Sequence, residues 1–303
     1  MASSVAVPAG LRGDYAHCAR VARHYENFTV ASRVLPGTMR PHLFALYAYC
    51  RGVDDLGDAY GGDRLAALAA WEGELDRCFG GGEPRSPVFR ALRATIRRFD
   101  LPRQPFADLI EANRMDQVRR AYATFADLLG YCRLSADPVG RLVLALFGLR
   151  DADRVRQSDD TCTALQLTNF WQDVGRDLDA GRLYLPLEDL ERFGCRRADV
   201  ERRRADPPLR RLLAFEVART RALFASGAAL EARVPSRLGL QLRLYRLGGT
   251  AVLEALGRQG YDPFVRRPRV GAAGKVRVAL RALWRTPAGA GRGGMGHDAG
   301  EGA

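Results

Sequence analysis

Apolar residues return every three or four positions along this chain, in segments that end near Pro or Gly, and no stretch sustains a period of two. A spacing of three and four is typical of an α-helix buried on one face, whereas a half-buried strand would alternate. The sequence therefore predicts an all-α protein. Its 303 residues are 47% hydrophobic and contain no internal repeat, so we expect a single domain.

The apolar periodicity also predicts where the helices lie. We expect a flexible N-terminus over 1–14, a helical domain over 15–285 and a disordered Gly-rich tail over 286–303. The predicted helices cover residues 38–59, 63–79, 86–99, 104–118, 123–149 with a bend at Pro138, 159–179, 208–232, 236–258 and 273–285.

Composition excludes several classes of protein. The net charge of +12 comes almost wholly from arginine, since Lys275 is the only lysine, and this spread of charge predicts no nucleic-acid partner. Six scattered cysteines and four histidines form no zinc or disulfide motif. No apolar run reaches the roughly 18 residues of a membrane span, and no secretory signal is recognisable, so we expect a cytoplasmic location.

Two predicted helices each carry an acidic stripe, defined here as two aspartates four residues apart, preceded on the same face by residues that form hydrogen bonds. The first stripe consists of Tyr47, Arg51, Asp54 and Asp58. The second stripe consists of Gln166, Asn169, Asp173 and Asp177. Carboxylates at this spacing repel each other by roughly 0.2–0.5 kcal/mol per pair on an isolated helix. Among apolar neighbours such acids require a cation.

Magnesium is the cation that fits these residues best. It accepts one or two carboxylates and fills its other positions with water and substrate phosphate, whereas zinc or copper prefers nitrogen or sulfur ligands. For a single stripe, a solvated helix face would be the favoured explanation. The pair favours a site where Mg²⁺ neutralises a leaving diphosphate while an apolar cavity receives the carbocation.

The stripes and two further segments resemble the squalene/phytoene synthase family over roughly residues 15–270. The segments are Y-A-Y-C-R-x-V-D-D-x-x-D at 47–58, Y-C-x-x-x-A-x-x-V-G at 131–140, Q-L-T-N-F-x-Q-D-V-x-x-D at 166–177 and G-R-L-Y-L-P at 181–186. The resemblance implies the isoprenoid synthase fold, one all-α domain around a central hydrophobic cavity. It also implies that the four aspartates of the stripes bind Mg²⁺ and that Tyr47, Arg51, Gln166 and Asn169 assist the diphosphates.

Other residues near these motifs are candidates for the site. The resemblance suggests that Arg182, Tyr184 and Arg267 close over the phosphates, although each is also explained as a surface or core residue. Asp116 is a further candidate to face the cavity.

Two departures from the family pattern bear on the substrate. Asn27 and Phe28 lie where condensing relatives show H-S-x-S-F, so a serine that contacts phosphate there is replaced by Asn27, and both residues are candidates for substrate binding. The segment S-A-D-P-V-G at 135–140 brings in Asp137, which either holds a reacting water or caps the helix that begins at Pro138. The wording E-N-F-x-V-A-S with S-A-x-P-V-G resembles the bacterial hydroxysqualene synthases.

That resemblance implies a reaction and its partners. The enzyme would convert presqualene diphosphate, supplied by a sister synthase, to hydroxysqualene by adding water, and a downstream reductase would follow. The basic amphipathic helix over 273–285 predicts peripheral membrane contact. The alternatives are the condensation of two prenyl diphosphates, by a presqualene diphosphate, squalene or phytoene synthase, and a non-catalytic helical scaffold at the membrane. The intact acidic pairs disfavour the scaffold.

Overall fold

The described part of the chain is helical. The computed structural model describes residues 7–23 and 34–284, and within these ranges the only β pairing is an isolated bridge between Ala121 and Leu183. The predicted all-α class is confirmed. The α-helices are α1 Arg12–Arg23, α2 Arg40–Asp58, α3 Arg64–Gly80, α4 Pro87–Phe99, α5 Gln104–Val118, α6 Phe125–Ser135, α7 Asp137–Leu146, α8 Ala152–Asp179, α9 Leu187–Arg192, α10 Arg197–Glu201, α11 Pro207–Gly227, α12 Ser236–Arg258 and α13 Ala272–Leu283.

Several boundaries differ from the prediction. The segment 123–149 forms two helices that meet at Ala136, with Pro138 in the first turn of α7, where its missing N–H leaves no hydrogen bond unmade. Helix α8 begins at Ala152 because the side chain of Asp151 caps it by accepting from Arg154 N at 3.1 Å. The unpredicted helices α9 and α10 have six and five residues, too few to show a repeat.

The last residues of the predicted flexible N-terminus over 1–14 are helical in the structure. Ala9–Leu11 form a 3₁₀ turn that leads directly into α1. Leu11 packs against the core, and Tyr15 on α1 is buried with its hydroxyl 2.9 Å from Thr95 Oγ1. The apolar periodicity does not predict α1, since its sequence R-G-D-Y-A-H-C-A-R-V-A-R contains few large apolar residues. The predicted tail over 286–303 lies outside the described residues.

The helices that carry the acidic stripes are each packed on several sides. Helix α2 contacts α1, α4 and α5, and its Tyr49 is buried with the hydroxyl donating to Phe106 O at 2.9 Å. Helix α8 contacts α7, α11 and α12, and its Trp171 is buried with Nε1 donating to Thr220 Oγ1 at 2.8 Å. Dense packing of this kind fixes the direction of each stripe.

The membrane-span prediction can be tested on the same helices. None of the helices in residues 7–23 and 34–284 is both long enough and apolar enough to cross a bilayer.

Candidate active site

Helix α2 presents the first acidic stripe to a cavity that it shares with α7, α8 and α12. The cavity has a volume of about 350 Å³, and both Tyr47 and Asp54 lie on its wall. Most of the wall is apolar and includes Leu43, Leu46, Leu142, Val143, Leu165 and Leu238. An apolar cavity with a carboxylate at its edge can receive a hydrocarbon chain whose polar end reaches the acid.

Asp54 lies in an environment that disfavours its negative charge. Its side chain is accessible from the cavity, yet protein atoms surround it on most sides, and this burial raises its pKa to about 6. Arg51 and a hydrogen bond with Asn113 lower the pKa, whereas the neighbouring Asp58 raises it. Gly57 allows α5 to come this close, because a Cβ there would lie 2.0 Å from Asn113 Oδ1.

Helix α8 carries the second stripe and kinks within it. Asp173 has φ −109° and ψ 16°, which is outside the helical region. Burial raises the pKa of the half-buried Asp177 to about 7 against the lowering effect of Arg182, and the charges of Asp173, Asp116 and Asp58 raise it further. Because Asp58 belongs to the first stripe, the structure brings the two stripes close enough to interact.

Two arginines form ion pairs with the stripes. Arg182 Nη1 donates to Asp58 Oδ1 at 2.9 Å, so it crosses from the segment after α8 to the first stripe. Arg267 binds Asp173 through two hydrogen bonds, Nε to Oδ1 and Nη2 to Oδ2, the second at 2.7 Å. The acidic stripes are therefore accompanied by two guanidinium groups, which suit the recognition of phosphate.

A fifth acid, Asp116 on α5, lies beside an aromatic cluster. Tyr131 Oη donates to Asp116 Oδ2 at 2.6 Å, and Tyr184 Oη donates to Oδ1 at 3.3 Å. Tyr184 stacks on Phe170, with ring centroids 3.9 Å apart and planes 10° apart. Burial raises the Asp116 pKa, whereas the Tyr131 hydrogen bond and Arg182 lower it. Stacked rings therefore fix this carboxylate near Asp177.

The donor set at the cleft suits magnesium. Its five aspartates offer only oxygen ligands, and the raised pKa values of Asp54 and Asp177 show that their negative charges are incompletely compensated. Within the part of the chain that the structure describes, however, no three His, Cys, Asp or Glu side chains are close enough together to hold a metal ion. Two of the acids instead form ion pairs, Asp58 with Arg182 and Asp173 with Arg267.

Comparison with known proteins identifies the family. The squalene/phytoene synthase family matches residues 21–274. The chain belongs to the squalene/phytoene synthase family. These enzymes are isoprenoid synthases that condense prenyl diphosphates head to head.

Solved and curated relatives agree with this family. The squalene synthase HpnC from Alicyclobacillus acidocaldarius is 56% identical, with a TM-score of 0.83 over 85% of this chain and 98% of that one. A dehydrosqualene synthase in complex with ligand is 28% identical, with a TM-score of 0.84 over 90% and 96%. The presqualene diphosphate synthase of Rhodopseudomonas palustris is 32% identical over 84% of this chain and 92% of its own length. The expected isoprenoid synthase fold is confirmed.

The structure of this squalene/phytoene synthase brings several of the predicted residues close together. Tyr47 and Asp54 line the cavity, Arg182 links Asp58 of the first stripe to the neighbourhood of Asp177, and Arg267 binds Asp173. Arg51 forms an ion pair with Asp55. On α8, Gln166 is half-buried and Asn169 is exposed. Asn27 and Phe28 lie outside the described residues.

Asp137 takes a position that neither sequence interpretation anticipated. It belongs to the first turn of α7, where Ala136 is the N-cap residue and no side-chain cap bond forms, so Asp137 does not cap the helix. Its carboxylate is 2% exposed and accepts from Thr163 Oγ1 at 2.8 Å. It is not among the described residues that line the cavity. Asp137 is thus a buried carboxylate bonded between α7 and α8, and its part in the reaction stays a prediction.

Sequence reasoning missed two polar residues of the cavity wall, Gln241 and Tyr245 on α12. They are four residues apart, the same spacing as the paired acids, and stand among leucines in S-R-L-G-L-Q-L-R-L-Y. That spacing was the signal that could have identified them. Nothing in one sequence shows that α12 turns this face toward the stripes.

Proposed function

We propose that this protein catalyses the Mg²⁺-dependent conversion of presqualene diphosphate and water to hydroxysqualene, with release of diphosphate. The observation that carries the proposal is the 56% identity with the squalene synthase HpnC over nearly the whole of that chain. The resemblance of residues 26–36 and 135–140 to hydroxysqualene synthases supports the same reaction.

The acids and arginines of the cleft have complementary roles in this proposal. Asp54, Asp58, Asp173 and Asp177 would hold Mg²⁺, and the metal would supply positive charge to the leaving diphosphate. Tyr47 and Arg51 on α2, and Gln166 and Asn169 on α8, contact the diphosphate. Arg182 and Arg267 exchange their aspartate partners for phosphate oxygens, a change that keeps each guanidinium paired. Tyr184 keeps Asp116 in place beneath them.

The apolar cavity protects the reactive intermediate from water. Loss of diphosphate leaves a carbocation on the hydrocarbon, which survives only where bulk water is excluded. A cavity of about 350 Å³ with leucine and valine walls provides this exclusion. We further propose that Asn27 and Phe28 contact the substrate, as their place in the sequence suggests.

Condensation of two prenyl diphosphates is the second candidate. It is favoured by the curated relatives, which include a phytoene synthase of Arthrospira platensis, 33% identical over 87% of this chain, and the presqualene diphosphate synthase. A presqualene diphosphate, squalene or phytoene synthase would show this activity. A non-catalytic scaffold is not favoured, because the paired acids are intact and meet at one cleft.

One experiment distinguishes these functions. Purified protein is incubated with Mg²⁺ and presqualene, farnesyl or geranylgeranyl diphosphate, each with and without NADPH, and the products are identified by mass spectrometry. Formation of hydroxysqualene from presqualene diphosphate alone supports the proposal. Coupling of farnesyl or geranylgeranyl diphosphate without that product contradicts it in favour of condensation. Reduction that depends on NADPH would indicate a squalene synthase.

The proposed reaction also implies enzymes that act before and after this one. A synthase that makes presqualene diphosphate must supply the substrate, and a reductase that removes the hydroxyl group would consume the product. Both substrate and product are lipids, so we propose peripheral contact with the inner face of the membrane from the cytoplasm.

A further inference from the structure

One buried amide group lies in the wall of the apolar cavity with hydrogen-bonding capacity that the protein leaves unused. The Gln241 side chain on α12 lines the cavity and is 2% exposed. Among residues 7–23 and 34–284, neither its Oε1 nor its Nε2 makes a hydrogen bond of regular geometry, and only the Tyr245 phenol lies close enough for a weak one. Burial of an unpaired amide is costly, and such a group indicates a water or ligand that completes its hydrogen bonds.

Tyr245 brings a phenol to the same part of the cavity. It follows Gln241 by four residues on α12, and both side chains line the wall. Burial raises the pKa of Tyr245, and a weak hydrogen bond with the Gln241 side chain lowers it. The charge of Tyr47, which belongs to the first stripe with Asp54, raises the pKa of this phenol further. The amide and the phenol therefore form a polar patch on the cavity wall. Tyr47 and Asp54 of the first stripe line the same cavity.

The two hydroxyl groups that α8 brings to this wall, on Ser158 and Thr161, are less suited to binding a water. Thr161 Oγ1 already donates to Gln157 O at 3.1 Å, as a helix residue commonly does, and the Ser158 hydroxyl interacts with the Cys162 thiol. The Cys162 thiol is a weak hydrogen-bond donor and acceptor. Gln241 and Tyr245 are thus the strong polar groups of the wall on the side of α12.

We propose that Gln241 and Tyr245 hold the water that ends the carbocation, an inference that rests on the proposed hydroxysqualene reaction. Gln241 Oε1 accepts one O–H of this water and the phenol oxygen of Tyr245 accepts the other. A lone pair of the water oxygen then faces the cavity. One held water adds to the cation while bulk water stays outside.

The step balances without any further reactant. The bond between carbon and the diphosphate oxygen breaks first and leaves the carbocation. The lone pair of the held water then forms the new C–O bond, and the released diphosphate takes the surplus proton. Water needs orientation rather than a base to add to a carbocation, so a neutral amide suffices. The buried Asp137, bonded to Thr163, is not required for this step.

The test compares Gln241→Met with a matched control, Leu242→Met, which changes the next residue on the cavity wall without removing a polar group. Each variant receives presqualene diphosphate and Mg²⁺ in ¹⁸O-water. Diphosphate release and the ratio of labelled alcohol to hydrocarbon products are measured. Because methionine matches glutamine in length and is apolar, Gln241→Met is expected to fold. Tyr245→Phe, which loses only the hydroxyl, provides a second variant.

We expect Gln241→Met to release diphosphate within about threefold of the parent rate and to lower the alcohol-to-hydrocarbon ratio at least about tenfold, as the loss of a well-placed hydrogen bond allows. Tyr245→Phe should lower the ratio in the same direction, and Leu242→Met should leave it unchanged. An unchanged ratio in Gln241→Met, with alcohol formed by the parent, would overturn the water site alone. A parent that makes no alcohol contradicts the proposed function and overturns the water site with it.

Discussion

Each arginine at the rim of the cleft is paired with an acid that we propose as a metal ligand. Arg182 binds Asp58 and Arg267 binds Asp173, at distances of 2.9 and 2.7 Å. These pairs compensate part of the negative charge that five aspartates bring to one cleft. Release of the acids to Mg²⁺ would free both guanidinium groups for a diphosphate, so the same residues serve both states of the site.

For single residues, we predict that Asp54→Asn or Asp173→Asn lowers the turnover rate about 10²-fold or more. Removal of one group that stabilises charge in the transition state typically has an effect of this size. The helical content should remain that of the parent, because both acids face the cleft rather than the core. Steady-state kinetics and circular dichroism measure the two effects. Asp179→Asn, an exposed acid two residues beyond the second stripe, is the control and should stay active. Full turnover in either stripe variant would refute the metal assignment.

Helix α12 forms one wall of the cavity and packs against backbone at its N-terminal end. A Cβ on Gly239 would lie 2.2 Å from the carbonyl oxygen of Glu231, whereas a Cβ on Gly248 of the same helix would contact nothing within 4 Å. Glu231 belongs to the 3₁₀ turn Ala228–Ala232, and its backbone carbonyl oxygen cannot yield as a flexible side chain can. The position of Gln241 in the cavity thus depends on a glycine two residues earlier.

We therefore predict opposite effects for the same substitution at these two glycines. Gly239→Ala should lower the free energy of unfolding by about 1–3 kcal/mol through overpacking. Gly248→Ala should raise it by about 0.5–1 kcal/mol, because alanine favours the helix. Urea denaturation of both variants measures these changes. Equal stability of the two variants would show that α12 does not pack against Glu231 as described.

Helices α9 and α11 share a buried group of charges. Glu216 is fully buried and Asp189 is 2% exposed, and Arg219 Nη1 lies 3.0 Å from Asp189 Oδ2 and 3.4 Å from Glu216 Oε1. Burial raises the pKa of Glu216 to about 8, Arg219 lowers it, and Asp189 and Glu188 raise it. Burial in the folded protein therefore favours the neutral form of Glu216, and Arg219 lies between the two buried acids.

This arrangement predicts a pH dependence of stability. A glutamate with a raised pKa binds a proton more tightly when folded, so stability falls as pH rises from its ordinary value of 4.5 toward about 8. Glu216→Gln mimics the protonated form and should lose less stability over this range, by at least about 1 kcal/mol. Urea denaturation at pH 5 and pH 8 tests this, with the exposed Glu191→Gln as control. Parallel pH profiles of parent and Glu216→Gln would contradict it.

At the scale of the whole molecule, the last helix exposes an apolar face. Helix α13 packs on α12 and leaves this face in solvent. Its exposed apolar residues are Val276, Leu280, Leu283 and Trp284, between 59% and 81% exposed. Lys275, Arg277 and Arg281 stand exposed among them. Basic and apolar side chains together suit an anionic lipid surface, which attracts each cation by about 1 kcal/mol.

We predict that the double substitution Leu280→Glu and Trp284→Glu reduces co-sedimentation with anionic phosphatidylglycerol vesicles at least about tenfold, because it removes apolar contact and adds repulsion. Neutral phosphatidylcholine vesicles should bind the parent weakly. Leu65→Glu on α3, a comparably exposed leucine elsewhere, is the control and should bind like the parent. Unchanged binding of the double variant would exclude α13 as the membrane contact.

The sequence by itself determined the helical class, most helix positions and the two acidic stripes. These follow from local rules, since a spacing of three and four places residues on one helix face wherever the helix lies. Family motifs then identified Arg182, Tyr184 and Arg267 near the stripes. Short helices such as α9 escaped because their repeat is too brief to recognise.

Only the tertiary structure decided which faces meet. The contact of Arg182 with Asp58 joins residues far apart in the chain, and so does that of Arg267 with Asp173. The motif of Asp137 suggested two roles, a water site or a helix cap, and the packing of α7 on α8 shows that its carboxylate accepts from Thr163. Gln241 resembled any polar residue of an amphipathic helix until α12 placed it in the cavity. The rotation of each helix against its neighbours is set by the packing of the whole core, which no local pattern encodes.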